Sequence, residues 1–151
     1  MKNEYMNLAI AEAEQAFKED EVPIGCVIVR NGEVIAKTHN QKVKNHKATH
    51  HAEILAINEA SDVLNSWYLD ECELYVTLEP CLMCTGAIIN ARIKKVYFAT
   101  RDPKGGALVS NINIYNIKNL NHYPEIEEGY NQEEASELLK TFFRNKRKNR
   151  G

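Results

Sequence analysis

The pattern of apolar and polar positions predicts alternating helices and strands. Four apolar residues recur at the spacing of one helix face: Met6, Ile10, Ala13 and Phe17. The chain is therefore predicted to open with an amphipathic helix. Residues 22–30 (VPIGCVIVR) are apolar and β-branched, and residues 33–39 (EVIAKTH) alternate as a return strand. The Asn31-Gly32 dipeptide between them favours a type I′ hairpin.

The middle of the chain continues this alternation. Residues 40–50 (NQKVKNHKATH) are polar and irregular, so we expect a loop. Residues 51–65 have a helical pattern, and Thr49 is a plausible N-cap residue for that helix. Its predicted buried side consists of Ile54, Leu55, Ile57 and Leu64.

The remaining segments complete an α/β pattern. Strands are predicted at 73–78, 94–99 and 125–128, and helices at 81–91 and 133–147. Pro80 is well placed at a helix start, where its missing N–H costs nothing. The predicted apolar side of the last helix consists of Ala135, Leu138, Leu139, Phe142 and Phe143. The order α-β-β-α-β-α-β, followed by further elements, predicts one sheet covered by helices on both faces.

Composition narrows the class of protein. The 151 residues fit a single domain, residues 1–151, and a net charge of -2 argues against a wholly basic nucleic-acid coat. Acidic residues interrupt the N-terminal segment and no apolar run reaches membrane-spanning length, so we expect a cytoplasmic protein without a membrane segment. In a reducing compartment, four cysteines favour metal binding or catalysis over disulfides.

Charge is unevenly distributed towards the C-terminus. Residues 125–137 are acidic, whereas the basic C-terminal helix and tail, about residues 132–151, end in cations alone: Lys140, Arg144, Lys146, Arg147, Lys148 and Arg150. One interpretation is a solvated helix end whose cations favour the helix dipole. The other is contact with nucleic-acid phosphates.

The stretch LEPCLMCT, residues 78–85, carries the most specific chemical signal. Cys81 and Cys84 lie one turn apart at a predicted helix start, which favours thiolates. Alone, this spacing fits a redox disulfide, half of a structural zinc site or part of a catalytic metal site. A catalytic zinc site needs three protein ligands and an open position. His51-Ala52-Glu53 supplies a third ligand and a carboxylate that can move a proton.

The combined pattern His-x-Glu followed by Pro-Cys-x-x-Cys is the signature of zinc nucleobase deaminases, in which the glutamate does not bind the metal. It favours catalytic zinc over the two other interpretations. A closed structural site would have to recruit His50, Cys26 or Cys72. Of these, Cys26 lies within an apolar strand and is typical of a core residue. His50 stands beside His51 but lacks the following Ala-Glu.

Beyond these motifs, the chain resembles the bacterial tRNA-specific adenosine deaminases nearly end to end. The matching segments include EVPIG at 21–25, HAEILAI at 51–57, LYVTLEPC at 74–81, DPKGG at 102–106 and FFR at 142–144. The zinc motif is shared with cytidine, cytosine and guanine deaminases. The Asp-Pro-Lys-Gly loop and the Phe-Phe-Arg ending resemble the tRNA branch in particular.

The resemblance implies a three-layer α/β/α cytidine deaminase-like fold with a mixed central sheet of about five strands. It also implies a homodimer with one zinc ion per subunit. The substrate would be the anticodon stem-loop of a tRNA, an arginine tRNA in particular, in which the adenosine at wobble position 34 becomes inosine and ammonia is released.

Residue roles follow from the same resemblance. His51, Cys81 and Cys84 would hold zinc, and Glu53 would pass a proton from the zinc-bound water to the purine ring and the departing ammonia. The remaining expected contacts are with substrate: Asn40 with the flipped-out nucleoside, Val22 and Pro23 with the base, Asp102 and Lys104 with the anticodon loop, and Phe143 and the basic tail with neighbouring nucleotides.

Two departures and two alternatives remain. Thr100 stands before Arg101, where small residues are common in the family. The family usually has Asp-Pro-Thr-Ala before the zinc histidine, where this chain has Lys47-Ala48-Thr49-His50, with a second imidazole. The first alternative is a deaminase of free guanine, cytosine or a nucleoside, which would not need the basic tail. The second is a zinc-stabilised RNA-binding module without catalysis, which would leave Glu53 without a specific role.

Overall fold

The computed structural model describes residues 1–150 of the chain, with side chains through residue 148. Within these residues the chain forms helices and strands in the predicted order. The elements are α1 (Glu4–Lys18), β1 (Gly25–Arg30), β2 (Glu33–His39), α2 (Lys42–Asn45), α3 (Ala52–Leu64), β3 (Cys72–Leu78), α4 (Leu82–Ala91), β4 (Lys95–Thr100), a 3-10 turn (Ile114–Asn116), β5 (Glu125–Glu128) and α5 (Gln132–Arg150).

The strands form one mixed five-stranded sheet in the order β2-β1-β3-β4-β5. β1 pairs antiparallel with β2 and β3, whereas β3–β4 and β4–β5 are parallel. Asn31 and Gly32 both have positive φ, at 51° and 78°. Both central residues of a type I′ turn require positive φ, so this geometry confirms the predicted hairpin.

Helices cover both faces of the sheet, as predicted. Along β1, Cys26 and Ile28 face the core beneath α3 and α4, and Val27 and Val29 face the core beneath α1 and α5. This alternation is the period-2 pattern of a strand buried on both sides. α1 lies directly against β1, because a Cβ on Gly25 would stand 1.9 Å from the carbonyl oxygen of Ala9. The three-layer α/β/α arrangement is therefore confirmed.

The start of the helix at residues 51–65 differs from the prediction. The predicted N-cap, Thr49, instead accepts a bond from the His51 N–H within a turn, and His51 is the N-cap residue of α3. The buried face of α3 includes Ala52, Ala56 and Ala60, whereas Ile54, Leu55 and Leu64 are only partly buried. Small side chains let α3 approach the sheet closely. The hydrophobic pattern of the sequence alone does not show which face of α3 makes this approach.

Three other local features also differ from the prediction. The loop at 40–50 contains the short helix α2. β1 begins at Gly25 rather than residue 22, because Pro23 has no N–H for the ladder and Ile24 N–H turns back to the Val22 carbonyl. Pro80 precedes the N-cap residue Cys81 instead of occupying the first turn of α4. In the part of the chain that the structure describes, the helices are too short or too polar to cross a bilayer.

Candidate metal centre and substrate cleft

Two helix starts meet on one side of the sheet and bring three metal-ligating side chains together. His51 is the N-cap residue of α3, Cys81 is the N-cap residue of α4, and Cys84 lies in the first turn of α4. Their ligand atoms all lie within 4.8 Å of one another. Of the residues described, these form the one group of three or more such side chains that could hold a metal ion.

The spacing of the three ligand atoms fits a tetrahedral zinc ion. His51 Nδ1 lies 3.7 Å from Cys81 Sγ and 3.6 Å from Cys84 Sγ. Zinc bonds of about 2.3 Å to sulfur and about 2.0 Å to nitrogen, at a tetrahedral angle, separate S and N by about 3.5 Å. One His and two Cys also match the ligand chemistry of zinc and leave a fourth position open for a reactant.

The two thiols share one negative charge. Hydrogen bonding from Cys84 and from His51 lowers the pKa of Cys81 to about 4, against the opposing effect of burial. The bond to the Cys81 thiolate and burial raise the pKa of Cys84 far above its usual range. His51 in turn has a raised pKa, chiefly because of its bond with Cys81. A low pKa at Cys81 suits metal binding, and a metal ion held by the group would displace the proton of Cys84.

Glu53 is buried beside this group in the first turn of α3. It is 4% exposed, and its Oε1 atom has no hydrogen-bond partner in the described part of the protein. Burial raises the pKa of Glu53 to about 7, although bonds from its own N–H and from Cys84 act in the opposite direction. A carboxyl group with a near-neutral pKa can both accept and donate a proton at physiological pH.

Asn40 directly follows β2 and lies near the metal group, beside the start of α3. Thr38 Oγ1 donates to the Ala52 carbonyl at 2.7 Å, and Gln41 N–H donates to the His50 carbonyl at 3.1 Å. These bonds tie the segment around Asn40 to the start of α3. Asn40 is 5% exposed, and its Oδ1 atom also lacks a partner among the described residues. Buried polar atoms are normally hydrogen-bonded, so this oxygen and that of Glu53 are suited to a polar ligand.

A cleft of about 460 Å³ extends from Asn40 to α5. Its lining consists of Asp20, Glu21, Val22, Asn40, Lys42, Val43, Phe142, Phe143, Lys146 and Arg147. The metal ligands lie outside this lining, and Asn40 links the cleft to the start of α3. The volume is in the range of small-ligand sites, which is about 300 to 1,000 Å³.

A second groove, of about 340 Å³, runs on the other side of Phe143. Its cationic lining consists of Arg101, Lys140, Arg144 and Arg147. Arg101 makes a bidentate bond to Glu128 at 2.8 and 3.0 Å, whereas Arg144 and Arg147 are exposed. Phe143, 44% exposed, and Arg147 line both grooves. The side chain of Arg150, part of the predicted basic tail, lies outside the described residues.

The predicted substrate residues therefore fall into two groups. Val22, Asn40 and Phe143 line the cleft, and Pro23 is buried next to Val22. Asp102 and Lys104 lie on the loop after β4, outside the lining of both grooves. Asp102 Oδ1 accepts from the N–H groups of Lys104 and Gly105, at 3.2 and 3.1 Å, so the tip of this loop is closed by its own aspartate.

Two buried glutamates that organise the loops were missed by the sequence analysis. Glu21, 1% exposed, accepts from the N–H groups of Val43 and Lys44 at 3.1 and 2.7 Å and so holds α2. Glu79, 2% exposed, holds the loop after β4 in the same way. Burial opposes the charge on Glu79, but bonds from Ser110, Val109 and Asp102 outweigh that effect and keep its pKa below the usual range. The only signal in the sequence was an acidic residue beside an apolar run.

The other histidines and cysteines that were considered lie apart from the metal group. His50 Nδ1 stands 2.8 Å from Asn45 Nδ2, so the second imidazole bonds within its own loop. Cys26 is a buried core residue, as predicted. Burial raises the pKa of Cys72 to about 11, which keeps that thiol protonated at neutral pH. His39 lies between Glu12 and Glu19, with ring nitrogens 2.8 and 3.0 Å from their carboxylates.

Comparison with known proteins identifies the branch of the deaminases to which this chain is similar in sequence. Residues 1–147 match the family of MafB19-like deaminases. The chain is 49% identical over 148 residues to the tRNA-specific adenosine deaminase of Aquifex aeolicus, covering 98% of this chain and 97% of that protein. The Bacillus subtilis tRNA-specific adenosine deaminase is 45% identical over 144 residues, covering 95% of this chain and 89% of that protein.

Solved structures agree. A chain from a study of A-to-I editing by tRNA:A34 deaminases at the wobble position of transfer RNA has a TM-score of 0.88 at 42% identity, covering 90% of this chain and 99% of that one. The guanine deaminase of Bacillus subtilis has a TM-score of 0.64 at 31% identity, with 96% and 95% coverage. Both fold and sequence are therefore more similar to the tRNA branch.

The mixed sheet and the match to a deaminase family define the class of this protein as a deaminase of the cytidine deaminase-like superfamily. The spacing of His51, Cys81 and Cys84 is consistent with that class. Near-full-length identity then distinguishes among its branches. The chain belongs to the family of tRNA-specific adenosine deaminases.

Proposed function

We propose that this protein converts the adenosine at wobble position 34 of a tRNA anticodon, that of an arginine tRNA in particular, to inosine. The observation that carries the proposal is the 49% identity over 98% of the chain to a tRNA-specific adenosine deaminase, with the metal group and Glu53 in place. The structure of a tRNA:A34 deaminase is also more similar than that of a guanine deaminase, with TM-scores of 0.88 and 0.64.

His51, Cys81 and Cys84 would hold one zinc ion per subunit. When bound, zinc supplies a Lewis acid that lets water lose a proton near neutral pH. Glu53 accepts that proton at Oε1 and delivers it to N1 of the purine ring, and it then carries the remaining proton of the same water to the departing amine. The oxygen of that water adds to C6 of adenine, and the bond between C6 and the exocyclic amine nitrogen breaks. Adenosine and water therefore become inosine and ammonia. The buried Oε1 atom of Glu53, which has no hydrogen-bond partner among the described residues, supports this role.

The base must leave its stack to reach so buried a site. A base in an anticodon loop is already unpaired, so extruding it costs less than from a duplex. We assign Asn40 to a polar contact with the extruded nucleoside, because its Oδ1 atom is buried and has no partner in the part of the chain that the structure describes. Val22 and Pro23 would form the apolar wall, and Phe143 would stack on a neighbouring base between the two grooves. Asp102 and Lys104 would contact the anticodon loop.

The proposal also covers the assembly and its setting. Residues 1–151 would form a single deaminase domain that acts as a cytoplasmic homodimer. Light scattering tests the dimer directly, because a dimer has about twice the 17.2 kDa mass of one chain. A mass of 17.2 kDa at working concentration would contradict it.

A substrate panel tests the proposed function. The purified zinc-loaded protein is incubated with an anticodon stem-loop that carries A34, and separately with free guanine, cytosine and cytidine. We expect inosine at position 34 and no product from the three small substrates. Product from a free base or nucleoside alone would favour the small-molecule alternative, and binding of the stem-loop without any product would favour a non-catalytic module.

The basic side of α5 should contribute to binding through phosphate contacts. We expect the double variant Arg144→Gln/Arg147→Gln to weaken stem-loop binding and to flatten its salt dependence. Each lost phosphate contact reduces the slope of log K against log salt by about 0.7 for single strands, so the double variant should lose about 1.4. Titrations between low and moderate salt measure this slope.

The control for that titration is Lys2→Gln. Lys2 is also an exposed cation, but it pairs with Glu134 at 3.2 Å, near the start of α5 rather than in either groove. Lys2→Gln should leave the slope unchanged. An equal slope in the wild type and the double variant would show that these arginines are only solvated.

A further inference from the structure

Glu79 is a buried carboxylate next to the metal centre whose hydrogen bonds all come from one loop. It follows β3 and precedes Pro80 and Cys81. Its carboxylate accepts from four backbone N–H groups and one hydroxyl, all on the loop after β4. The donors are Asp102 N–H at 3.2 Å, Leu108 N–H at 3.2 Å, Val109 N–H at 2.9 Å, Ser110 N–H at 3.0 Å and the Ser110 hydroxyl.

The loop is closed tightly around this carboxylate. Glu79 N–H donates to the Thr100 carbonyl, and Ala107 N–H donates to the Pro80 carbonyl, each at 2.9 Å. A Cβ on Gly106 would stand 2.4 Å from the carboxyl carbon of Glu79, so only glycine fits there. The loop and the segment that leads to Cys81 are therefore joined at several points on both sides of Glu79.

Different side chains close the tip of this loop and hold the loop in its position. Asp102 Oδ1 closes the tip through the N–H groups of Lys104 and Gly105. Glu79 holds the base of the loop and lies two residues from Cys81 along the chain. A change at Glu79 should therefore shift Lys104 as part of an intact tip, relative to the metal ligands, without removing either group.

We propose that Glu79 is a positioning residue for the loop that carries Asp102 and Lys104. It sets the distance between this loop and the metal centre, so that the loop can bind the anticodon loop while position 34 reacts. This role rests on the proposed function. A carboxylate suits it because it is an acceptor only, with about four lone-pair sites on two oxygens that the five donors here fully occupy. Glutamine has the same shape but directs an NH₂ donor at several N–H groups that also need an acceptor.

The first test is the steady-state kinetics of Glu79→Gln on the A34 stem-loop. If the loop spends only a fraction of its time in the binding position, apparent affinity falls by that fraction. We expect KM to rise about tenfold, while kcat stays within about twofold and one zinc remains per subunit. Glu71→Gln is the matched control, because Glu71 forms a surface pair with Arg30 at 2.8 Å. Its KM should equal that of the wild type.

A double-mutant cycle with Lys104→Ala separates positioning from general support of the fold. If Glu79 acts through the placement of Lys104, the two changes together should raise KM by less than the product of their separate effects. A product of the two effects would contradict the proposal. An unchanged KM in Glu79→Gln would also contradict it, as would a parallel loss of kcat and zinc, since Glu79 would then only support Cys81.

Ser110→Ala provides the test if Glu79→Gln does not fold. It removes one of the five donors and leaves the carboxylate in place. We expect KM to rise about threefold with unchanged kcat, and the lost bond to a buried carboxylate should lower the melting temperature by several degrees. A wild-type KM in Ser110→Ala would contradict the role of Glu79. A wild-type protein that does not deaminate the stem-loop would instead contradict the proposed function.

Discussion

Glu53→Gln should retain zinc and lose about three orders of magnitude in kcat. The variant keeps the shape of a side chain that is 4% exposed, but it removes the group that accepts a proton from the attacking water. The pKa of Glu53, raised to about 7 by burial, indicates a carboxyl able to carry that proton in both directions. Single-turnover rates on the A34 stem-loop, together with metal analysis, measure the effect.

Glu59→Gln is the matched control for this experiment. Glu59 lies on the same helix, α3, but is exposed, and among the described residues its carboxylate accepts one hydrogen bond, from the Lys37 N–H at 3.4 Å. We expect wild-type turnover from it. Near-normal turnover in Glu53→Gln would exclude Glu53 as the group that moves the proton, whereas a loss of zinc would show that its main role is to support the metal site.

Cys84→Ala should abolish both stoichiometric metal binding and activity. Cys84 supplies one of three ligand atoms within 4.8 Å of one another, and two ligands are too few for a stable zinc site of this type. We expect zinc to fall from one per subunit to a small fraction after dialysis against a chelator. For the wild-type protein, the same chelator should remove activity slowly and added zinc should restore it.

Cys72→Ala is the matched control, because Cys72 is a buried cysteine that lies outside the metal group. It should keep one zinc per subunit and wild-type kcat, with a small loss of stability from the deleted sulfur. Full zinc occupancy in Cys84→Ala would contradict the ligand assignment, and zinc loss in Cys72→Ala would point to a different set of ligands.

The elements that were predicted well are those determined by local pattern. The helical repeat of Met6, Ile10 and Ala13 and the positive-φ turn at Asn31-Gly32 depend only on neighbours in the sequence. The metal group could also be predicted, because the spacing of Cys81 and Cys84 places both thiols at one helix start and His51-Ala52-Glu53 supplies a matching partner. What those residues bind stays a prediction that the variants above test.

The parts that were missed depend on tertiary packing. The alanine face of α3 reflects how closely that helix approaches the sheet, whereas the periodicity pointed to Ile54 and Leu55. The short helix α2 depends on Glu21, which lies 22 and 23 residues before the two N–H groups from which it accepts. In the sequence, Glu79 is an acidic residue before a proline and carries no further signal. Its bonds form only when the loop around Ser110 packs against it.

Labelled water tests hydrolytic deamination at one tRNA position most directly. The zinc-loaded protein is incubated with the A34 stem-loop in ¹⁸O water, and the RNA is digested and analysed by mass spectrometry. We predict inosine at position 34, one ¹⁸O atom in each new inosine, and one ammonia released for each. Unchanged adenosine at position 34, or inosine without ¹⁸O, would contradict the account.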